Sequence, residues 1–377
     1  MAFPLPVPDA LKDAVPVGSG VLLGVSGGVD SSLALAVLQH LGCDVHCITL
    51  KNFCTAEGRF GGDDNSSCCS LDAIDSARRQ AAAVGVPHWV GNVEDRFREE
   101  VIDPFVAEYK AGRTPNPCVG CNTHVRFPEL IRRADQLGLE FVATGHYARV
   151  DHASDGPRLL RALDPDKDQS YFLHGLSRVE LARSIFPLGW WTKPDVRRAA
   201  AVLGLESATR ADSQEICFVP EDDRSFLFSD QDAIPGDIVD GEGRVIGRHR
   251  GLVHYTVGQR RGMGVAASEP LYVVRIDAEH NRIVAGPRSR LMVKRILCDR
   301  CRWLRHPDGD GFRVQWRHGH RGDDVASLLL SDDRCEVVLR DTASGIAPGQ
   351  FLVVERDGEI FGGGRIIETK NDQEETP

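Results

Sequence analysis

The stretch from Val21 to Leu41 constrains the fold more than any other part of the chain. An apolar segment runs directly into the turn Ser26-Gly27-Gly28-Val29-Asp30-Ser31, and apolar residues at helical spacing follow. Gly27 and Gly28 lack a Cβ, so the backbone can take left-handed angles and bring its N–H groups close to an anion. The N-terminus of the helix adds the positive end of its dipole. The stretch therefore predicts a strand, turn and helix that bind pyrophosphate.

Asp30 lies inside this turn and has no role in a predicted core. A carboxylate beside a phosphate is repulsive unless a metal ion lies between them, so we interpret Asp30 as a ligand of Mg²⁺ at the leaving pyrophosphate. The turn contains neither a Walker A motif nor a dinucleotide fingerprint, and a plain glycine turn is the alternative. It resembles the PP-loop of the ATP pyrophosphatases, which cleave ATP to AMP and pyrophosphate.

Strands and helices alternate through the first half of the chain. Strands are predicted at residues 45–50, 89–93 and 141–144, and helices at 71–84, 97–109 and 127–137. This order predicts an α/β fold with a mainly parallel sheet, in which ligands bind at the carboxyl ends of the strands. The turn at 26–32, a loop at 113–122 and Gly145-His146-Tyr147 would all lie at that edge.

Glycine and proline turns become frequent from about Pro220, and hairpins are predicted at residues 271–285 and 351–361. We therefore expect a small central domain and a C-terminal β-barrel after the α/β domain. Thr192-Lys193-Pro194-Asp195 is a capping box that opens a helix ending at Gly204. The predicted divisions are an N-terminal extension, a PP-loop catalytic domain, a central domain, a barrel and a disordered tail, at 1–17, 18–219, 220–287, 288–368 and 369–377.

Composition limits the cellular setting. No apolar run approaches the ~18 residues of a membrane span, and the proline-rich N-terminus does not resemble a signal peptide. The 11 cysteines are dispersed through the chain, which favours reduced thiols over a disulfide framework. The sequence predicts a cytoplasmic protein with no membrane partner.

A basic segment contrasts with the net charge of −10. Between Arg282 and Arg321, arginines and lysines far outnumber carboxylates, and Trp303, Phe312 and Trp316 lie among them. A segment of this composition is typical of a surface that binds a polyanion, and a solvated β-rich face is the alternative.

Further motifs identify a family. They are Arg113 to Asn122, Lys167 to Phe172, Asp212 to Phe218 and Gly258 to Gly262. Together with the PP-loop they resemble, in order and spacing, the bacterial tRNA-specific 2-thiouridylases over nearly the whole chain. The resemblance implies an enzyme, a tRNA-uridine 2-sulfurtransferase. It would adenylate the C2 oxygen of the wobble uridine with ATP and then replace that oxygen with sulfur.

The resemblance also implies roles for individual residues. Cys217 would carry a persulfide and Cys121 would be the nucleophile, the two closing a transient disulfide. Cys121 lies in a predicted loop and Cys217 follows a polar run, so neither is in the predicted core. The implied ATP site is Gly24, Val25, Ser26, Gly27, Gly28, Val29, Asp30, Ser31, Leu50 and Gly145.

The tRNA would be bound by three groups of residues. Those at the target base are Asn116, Pro117 and Cys118. A second group is His146, Lys167, Asp168 and Gln169, and the barrel contributes Arg317, His318 and Gln350. His318 replaces an aromatic residue that is commoner in the family, and Cys118 replaces Asp. A persulfide donor or relay protein is the other expected partner, and the protein is expected to be a monomer.

Several alternatives remain open from sequence. Cys118, Cys121 and Cys217 could hold an iron–sulfur cluster that delivers the sulfur instead of a persulfide. Cys298 and Cys301 have zinc-type spacing and could join Cys118 and Cys121 in a four-cysteine site, although the two pairs lie in different predicted domains. Another PP-loop ligase or amidotransferase, or a non-enzymatic RNA-binding or metal-storage module, would explain fewer of the motifs.

Overall fold

The computed structural model describes residues 3–53, 71–210, 216–219 and 224–371. Contacts divide these residues into two compact units. The first contains residues up to 101, residues 118–219 and residues 357–361, and the second contains residues 102–117, 224–356 and 362–371.

The α-helices are α1 (Asp9–Ala14), α2 (Val29–His40), α3 (Leu71–Ala83), α4 (Glu94–Phe97), α5 (Asp103–Lys110), α6 (Pro117–Gly120), α7 (Phe127–Leu137), α8 (Arg178–Ala182) and α9 (Lys193–Val202). The strands are β1 (Gly20–Gly24), β2 (Asp44–Lys51), β3 (His88–Asn92), β4 (Phe141–Thr144), β5 (Ala148–Ala153), β6 (Gly156–Arg161), β7 (Ser184–Ile185), β8 (Gly236–Val239), β9 (Val245–His249), β10 (Tyr272–Asp277), β11 (Arg282–Gly286), β12 (Val293–Trp303), β13 (Arg313–Gln315), β14 (Asp323–Ser331), β15 (Arg334–Ala343), β16 (Phe351–Arg356) and β17 (Glu359–Lys370).

The first unit is built on the predicted parallel sheet. Its strand order is β3-β2-β1-β4-β7, with parallel pairing throughout. Gly24 at the end of β1 is in register with Ile48 and Thr144. The carboxyl ends of these central strands therefore meet at one edge, which confirms the predicted position of the site.

The segment between β3 and β4 corrects two sequence predictions. The helix predicted at 97–109 is interrupted by a π-helical turn, Arg98–Ile102. Pro104 has no N–H for the carbonyl of Glu100, so regular α-helical bonding cannot continue there. The loop predicted at 113–122 is partly helical, because α6 leads into a second π-helical turn, Cys121–Arg126, and then into α7.

Unpredicted elements complete the first unit. A hairpin of β5 and β6 follows the parallel sheet, and Glu359 and Ile360 pair with β6. The N-terminal extension is not an appendage, because Leu11 and Val15 are buried in the main core. Neither feature has a sequence pattern long enough to predict it.

The second unit contains the two predicted β structures. The antiparallel hairpin of β10 and β11 is confirmed, and it joins β8 and β9 in the order β10-β11-β8-β9. Neighbouring strands β12, β15, β14, β13, β16 and β17 form the predicted barrel, which β12 and β17 close by antiparallel pairing. Strand β17 continues to Lys370, so the predicted disordered tail begins too early. Residues 372–377 lie outside the described residues.

Candidate active site

The turn after β1 has the backbone that its glycines predict. Gly27 has φ 71°, and a Cβ there would lie 2.5 Å from the carbonyl oxygen of Ala73. Gly28 is the N-cap of α2 and supplies no side-chain cap. The N–H groups of the first turn of α2 are therefore left for another acceptor, as in anion-binding helix N-termini.

Serine hydroxyls hold this turn in shape. Ser31 Oγ accepts from Ser26 N (3.2 Å) and donates to the Gly28 carbonyl (3.1 Å), and Ser32 Oγ donates to the same carbonyl (2.7 Å). Arg210 donates to the Gly27 carbonyl (3.1 Å). These bonds keep the turn in shape through the protein's own groups.

Asp30 has two partners that sequence reasoning missed. The Nζ atom of Lys193 lies 2.7 Å from each carboxylate oxygen of Asp30, and the Tyr147 hydroxyl donates to Oδ1 at 2.8 Å. The Lys193 side chain is only 8% exposed, against 32% for Asp30. The capping box at Thr192 was the available signal, because it fixes the backbone of Lys193.

These groups line a cleft of about 350 Å³ at the carboxyl ends of β1, β2 and β4. That volume lies in the ~300–1,000 Å³ range of small-molecule sites. Leu50 lines it, as do all the other predicted ATP residues except Gly27. Gly145 comes so close that a Cβ would lie 3.1 Å from Ser31 N.

His146 connects the cleft to the helix that bears Cys121. Arg126 Nη1 lies 3.3 Å from His146 Nε2 and 2.9 Å from Asn122 Oδ1. Because Arg126 can only donate, Nδ1 of His146 carries the proton and donates to Thr144 Oγ1 (2.7 Å). Burial and the neighbouring Arg126 lower the pKa of His146 to about 3. The imidazole is therefore neutral at physiological pH.

The segment Lys167-Asp168-Gln169 also reaches the cleft. Lys167 and Gln169 line it, and Gln169 is bonded to both the N–H and the carbonyl of Tyr147. The Asp168 carboxylate faces inward, where it accepts from Ala162 N and Ser170 N. Asp168 therefore fixes the backbone of the segment from which Lys167 and Gln169 reach the cleft.

Helix α4 is contacted both by the π-helical turn of Cys121 and by Phe218, the residue after Cys217. Cys121 begins the π-helical turn that packs against α4, and the ring of Phe218 meets Phe97 of α4 edge-on at 5.7 Å. Cys121 is 6% exposed, which corrects the expectation that it lies outside the core, whereas Cys217 is half-buried. Residues 211–215 of the polar run before Cys217 lie outside the described residues.

Comparisons with known proteins identify the family of the chain. A family model described as tRNA methyl transferase HUP domain matches residues 19–221. Models described as tRNA methyl transferase PRC-barrel domain and aminomethyltransferase beta-barrel domain match residues 224–287 and 293–366. The tRNA-specific 2-thiouridylase MnmA of Geobacter metallireducens is 42% identical over 357 residues, covering 92% of this chain and 96% of the relative. The chain belongs to the tRNA-specific 2-thiouridylase family.

Other members of the thiouridylase family match over similar lengths. The relative from Heliobacterium modesticaldum is 43% identical over 362 residues, which cover 92% of each chain. The one from Chloroflexus aurantiacus is 45% identical over 356 residues, covering 92% of this chain and 98% of the relative. The family and the fold predicted from the motifs are confirmed.

Of the remaining residues that the thiouridylase resemblance singled out, Cys118 is a half-buried residue of α6 in the first unit, and the others lie in the second unit. Gln350 donates to the carbonyl of Thr114 at 2.9 Å, and so helps to fix the chain just before Asn116. Asn116 is half-buried and Pro117 is buried. Arg317 and His318 are exposed after β13.

The basic segment is partly surface and partly core. Phe312 and Trp316 are each 3% exposed, so they pack inside the barrel and cannot stack on bases. The arginines that are exposed are Arg288, Arg290, Arg300, Arg302, Arg313, Arg317 and Arg321. This surface retains the positive charge that the sequence predicts.

The cysteines of the barrel have partners within the barrel. Cys298 of β12 is in register with Cys335 of β15, and Cys335 raises the pKa of Cys301 far above its usual range. Within the described ranges, no group of three His, Cys, Asp or Glu side chains is placed to hold a metal ion. The four-cysteine zinc alternative therefore finds no support there.

No helix in the described part of the chain is both long and apolar enough to cross a bilayer.

Proposed function

We propose that the protein carries out ATP-dependent 2-thiolation of the wobble uridine of tRNA. The observation that supports the proposal is a hydrogen-bond network of Arg126 that links a residue lining the cleft to the residue next to Cys121. His146 lines the cleft with the pyrophosphate turn, Arg126 joins His146 to Asn122, and Asn122 follows Cys121 directly. An anion-binding turn and a positioned thiol thus belong to one unit.

The chemistry requires activation before sulfur transfer. Hydroxide is a poor leaving group from C2 of uridine, so O2 first attacks the α-phosphorus of ATP and pyrophosphate leaves. Sulfur then adds to C2, and AMP departs with the original oxygen. The backbone N–H groups at the N-terminus of α2 would hold the pyrophosphate as its charge develops, in a turn whose shape the serine hydroxyls maintain.

Cys217 and Cys121 divide the sulfur transfer. The Cys121 thiolate attacks the inner sulfur of the Cys217 persulfide, the S–S bond breaks, and the released hydrosulfide attacks C2. The two cysteines are left as a disulfide, which an external dithiol reduces. A persulfide donor or relay protein reloads Cys217.

A magnesium ion fits the cleft through Asp30, the carboxylate that lines it among the described residues. One carboxylate with phosphate oxygens and water is a set that Mg²⁺ accepts, and the ion would offset the charge of the pyrophosphate. The carboxylate of Asp30 is also paired with the ammonium of Lys193, so it would be shared between Lys193 and the magnesium ion.

The function is tested by pyrophosphate release from ATP with and without bulk tRNA, followed by nucleoside analysis of the tRNA. We expect release to depend on tRNA and 2-thiouridine to appear when a persulfide donor is present. A glutamine- or ammonia-dependent product would instead indicate an amidotransferase. Binding of RNA without pyrophosphate release would indicate a non-enzymatic module.

The protein is proposed to act as a monomer in the cytoplasm.

The tRNA contacts are proposed at the target base, at the cleft and on the barrel. Asn116, Pro117 and Cys118 would meet the base, and His146, Lys167 and Gln169 the neighbouring nucleotides. The exposed arginines, with His318, would bind phosphates.

Replacing Arg302, Arg317 and Arg321 with glutamine should weaken tRNA binding. The plot of log K against log salt has a negative slope, and each lost phosphate contact reduces its magnitude by roughly 0.7–0.9. The slope of the triple variant should therefore be shallower by about 2 to 3 units. Filter binding across a salt series measures it.

The matched control replaces three exposed arginines of the first unit, Arg78, Arg96 and Arg198. It changes the net charge equally and should leave the slope unchanged. Equal slopes for both triple variants and the parent would assign the barrel surface to solvent.

The iron–sulfur alternative would use Cys118, Cys121 and Cys217. The described residues contain no three-ligand group of this kind, so no step is assigned to a cluster. Protein purified without oxygen is expected to contain no iron or sulfide, and Cys118→Asp should keep most of the activity. Stoichiometric iron that disappears in Cys118→Asp together with activity would establish the cluster route instead.

A further inference from the structure

Lys193, which is almost fully buried, and Asp30, which is partly exposed, form an ion pair in the wall of the nucleotide cleft, and the family motifs include only Asp30. A buried ammonium is held in place only when it is paired. Lys193 contacts both oxygens of Asp30 and lies 5.6 Å from the centre of the Tyr147 ring. Asp30 is the second residue of α2, so this ammonium lies beside the N–H groups that would bind pyrophosphate.

The backbone of Lys193 is fixed independently of Asp30. The Lys193 N–H donates to Asp164 Oδ2 at 2.8 Å, and the capping box of Thr192 and Asp195 starts α9 at this residue. The side chain therefore leaves a rigid helix start and reaches the first turn of α2. The backbone and the ammonium of Lys193 are thus both held in place. Neutralising Asp30 would not require a fixed backbone.

The charged side chains that line the cleft also favour a role for Lys193 in anion binding. Its described lining has the cations Arg126, Lys167 and Lys193 and the single carboxylate Asp30. Arg126 is bonded to His146 and Asn122, toward the thiol side. Arg210 bonds the Gly27 carbonyl of the turn but does not line the cleft, whereas Lys193 both lines the cleft and is paired with Asp30 of the turn.

We propose that Lys193 binds the pyrophosphate of ATP directly, with Asp30 and the start of α9 acting to position its ammonium. The inference rests on the proposed ATP site. A hydrogen bond from a charged donor contributes about 1.5–3 kcal/mol, which corresponds to roughly 10- to 100-fold in affinity. AMP lacks the pyrophosphate and should not sense Lys193.

The test is calorimetric binding of inorganic pyrophosphate and of AMP to the full chain in EDTA, which removes any metal contribution. Lys193→Met should weaken pyrophosphate binding about 10- to 100-fold and leave AMP binding within about 2-fold. Lys193→Arg should retain most of the affinity. Lys110→Met, which breaks an exposed pair with Asp232 (2.7 Å) in the second unit, is the control and should change neither.

A charge-neutral double variant keeps the test sharp if Lys193→Met folds poorly. Asp30→Asn with Lys193→Met removes both charges and leaves no unpaired ion. If Lys193 only neutralised Asp30, this variant would bind pyrophosphate as the parent does, and the proposal would be overturned. We expect it to bind about 10-fold or more weakly. A parent that binds neither pyrophosphate nor AMP would instead overturn the ATP site itself.

Discussion

Replacing either Cys121 or Cys217 with serine is expected to leave no detectable 2-thiouridine in tRNA. A serine hydroxyl cannot carry a persulfide or break an S–S bond, and each route to the product needs both thiols. Release of pyrophosphate in the presence of tRNA should continue, because activation of the uridine precedes sulfur transfer. Nucleoside mass spectrometry and a pyrophosphate assay on the same reaction separate the two steps.

Cys43→Ser is the matched control for this pair. Cys43 is a half-buried cysteine of the same unit, and burial raises the pKa of its thiol to about 11. Its thiol is therefore protonated and unreactive at neutral pH, and the variant should thiolate tRNA as the parent does. Normal thiouridine content in Cys121→Ser or Cys217→Ser would remove that cysteine from the mechanism.

Asp30→Ala is expected to lower the rate of tRNA-dependent pyrophosphate release by at least about 100-fold. It removes the proposed magnesium ligand and the group that positions Lys193, both of which act on charge that develops in the transition state. Affinity for tRNA should remain close to that of the parent, because the phosphate contacts proposed on the barrel would supply most of it. Single-turnover kinetics and filter binding give the two values.

Stability must be separated from catalysis in this variant. Without Asp30 the almost fully buried ammonium of Lys193 loses its carboxylate, so the free energy of unfolding should fall. Asp30→Ala with Lys193→Met should regain much of that stability and remain as slow. Asp44→Ala, at an exposed carboxylate of the same unit, should change neither quantity. A tRNA affinity that falls as much as the rate would contradict this division of roles.

Features set by neighbouring residues could be predicted from the sequence. Gly27 has the left-handed backbone angle (φ 71°) that a glycine in such a turn predicts, and Thr192 with Asp195 makes the predicted reciprocal cap. The hairpin around Asp277 to Asn281 was equally visible. Turns, caps and strand periodicity depend on residues a few positions apart, so local sequence determines them.

Only the tertiary structure decided which distant side chains meet. Lys193 reaches Asp30 across 163 residues, Cys298 is in register with Cys335 on a neighbouring strand, and Cys121 is buried although the sequence predicts a loop there. The π-helical turns at Arg98 and Cys121 likewise arise where a helix must accommodate a proline or its packing partners. Local sequence therefore determined the pyrophosphate turn, whereas its cationic partner and the setting of its thiol depend on how the sheet brings remote segments to one edge, which no short-range pattern encodes.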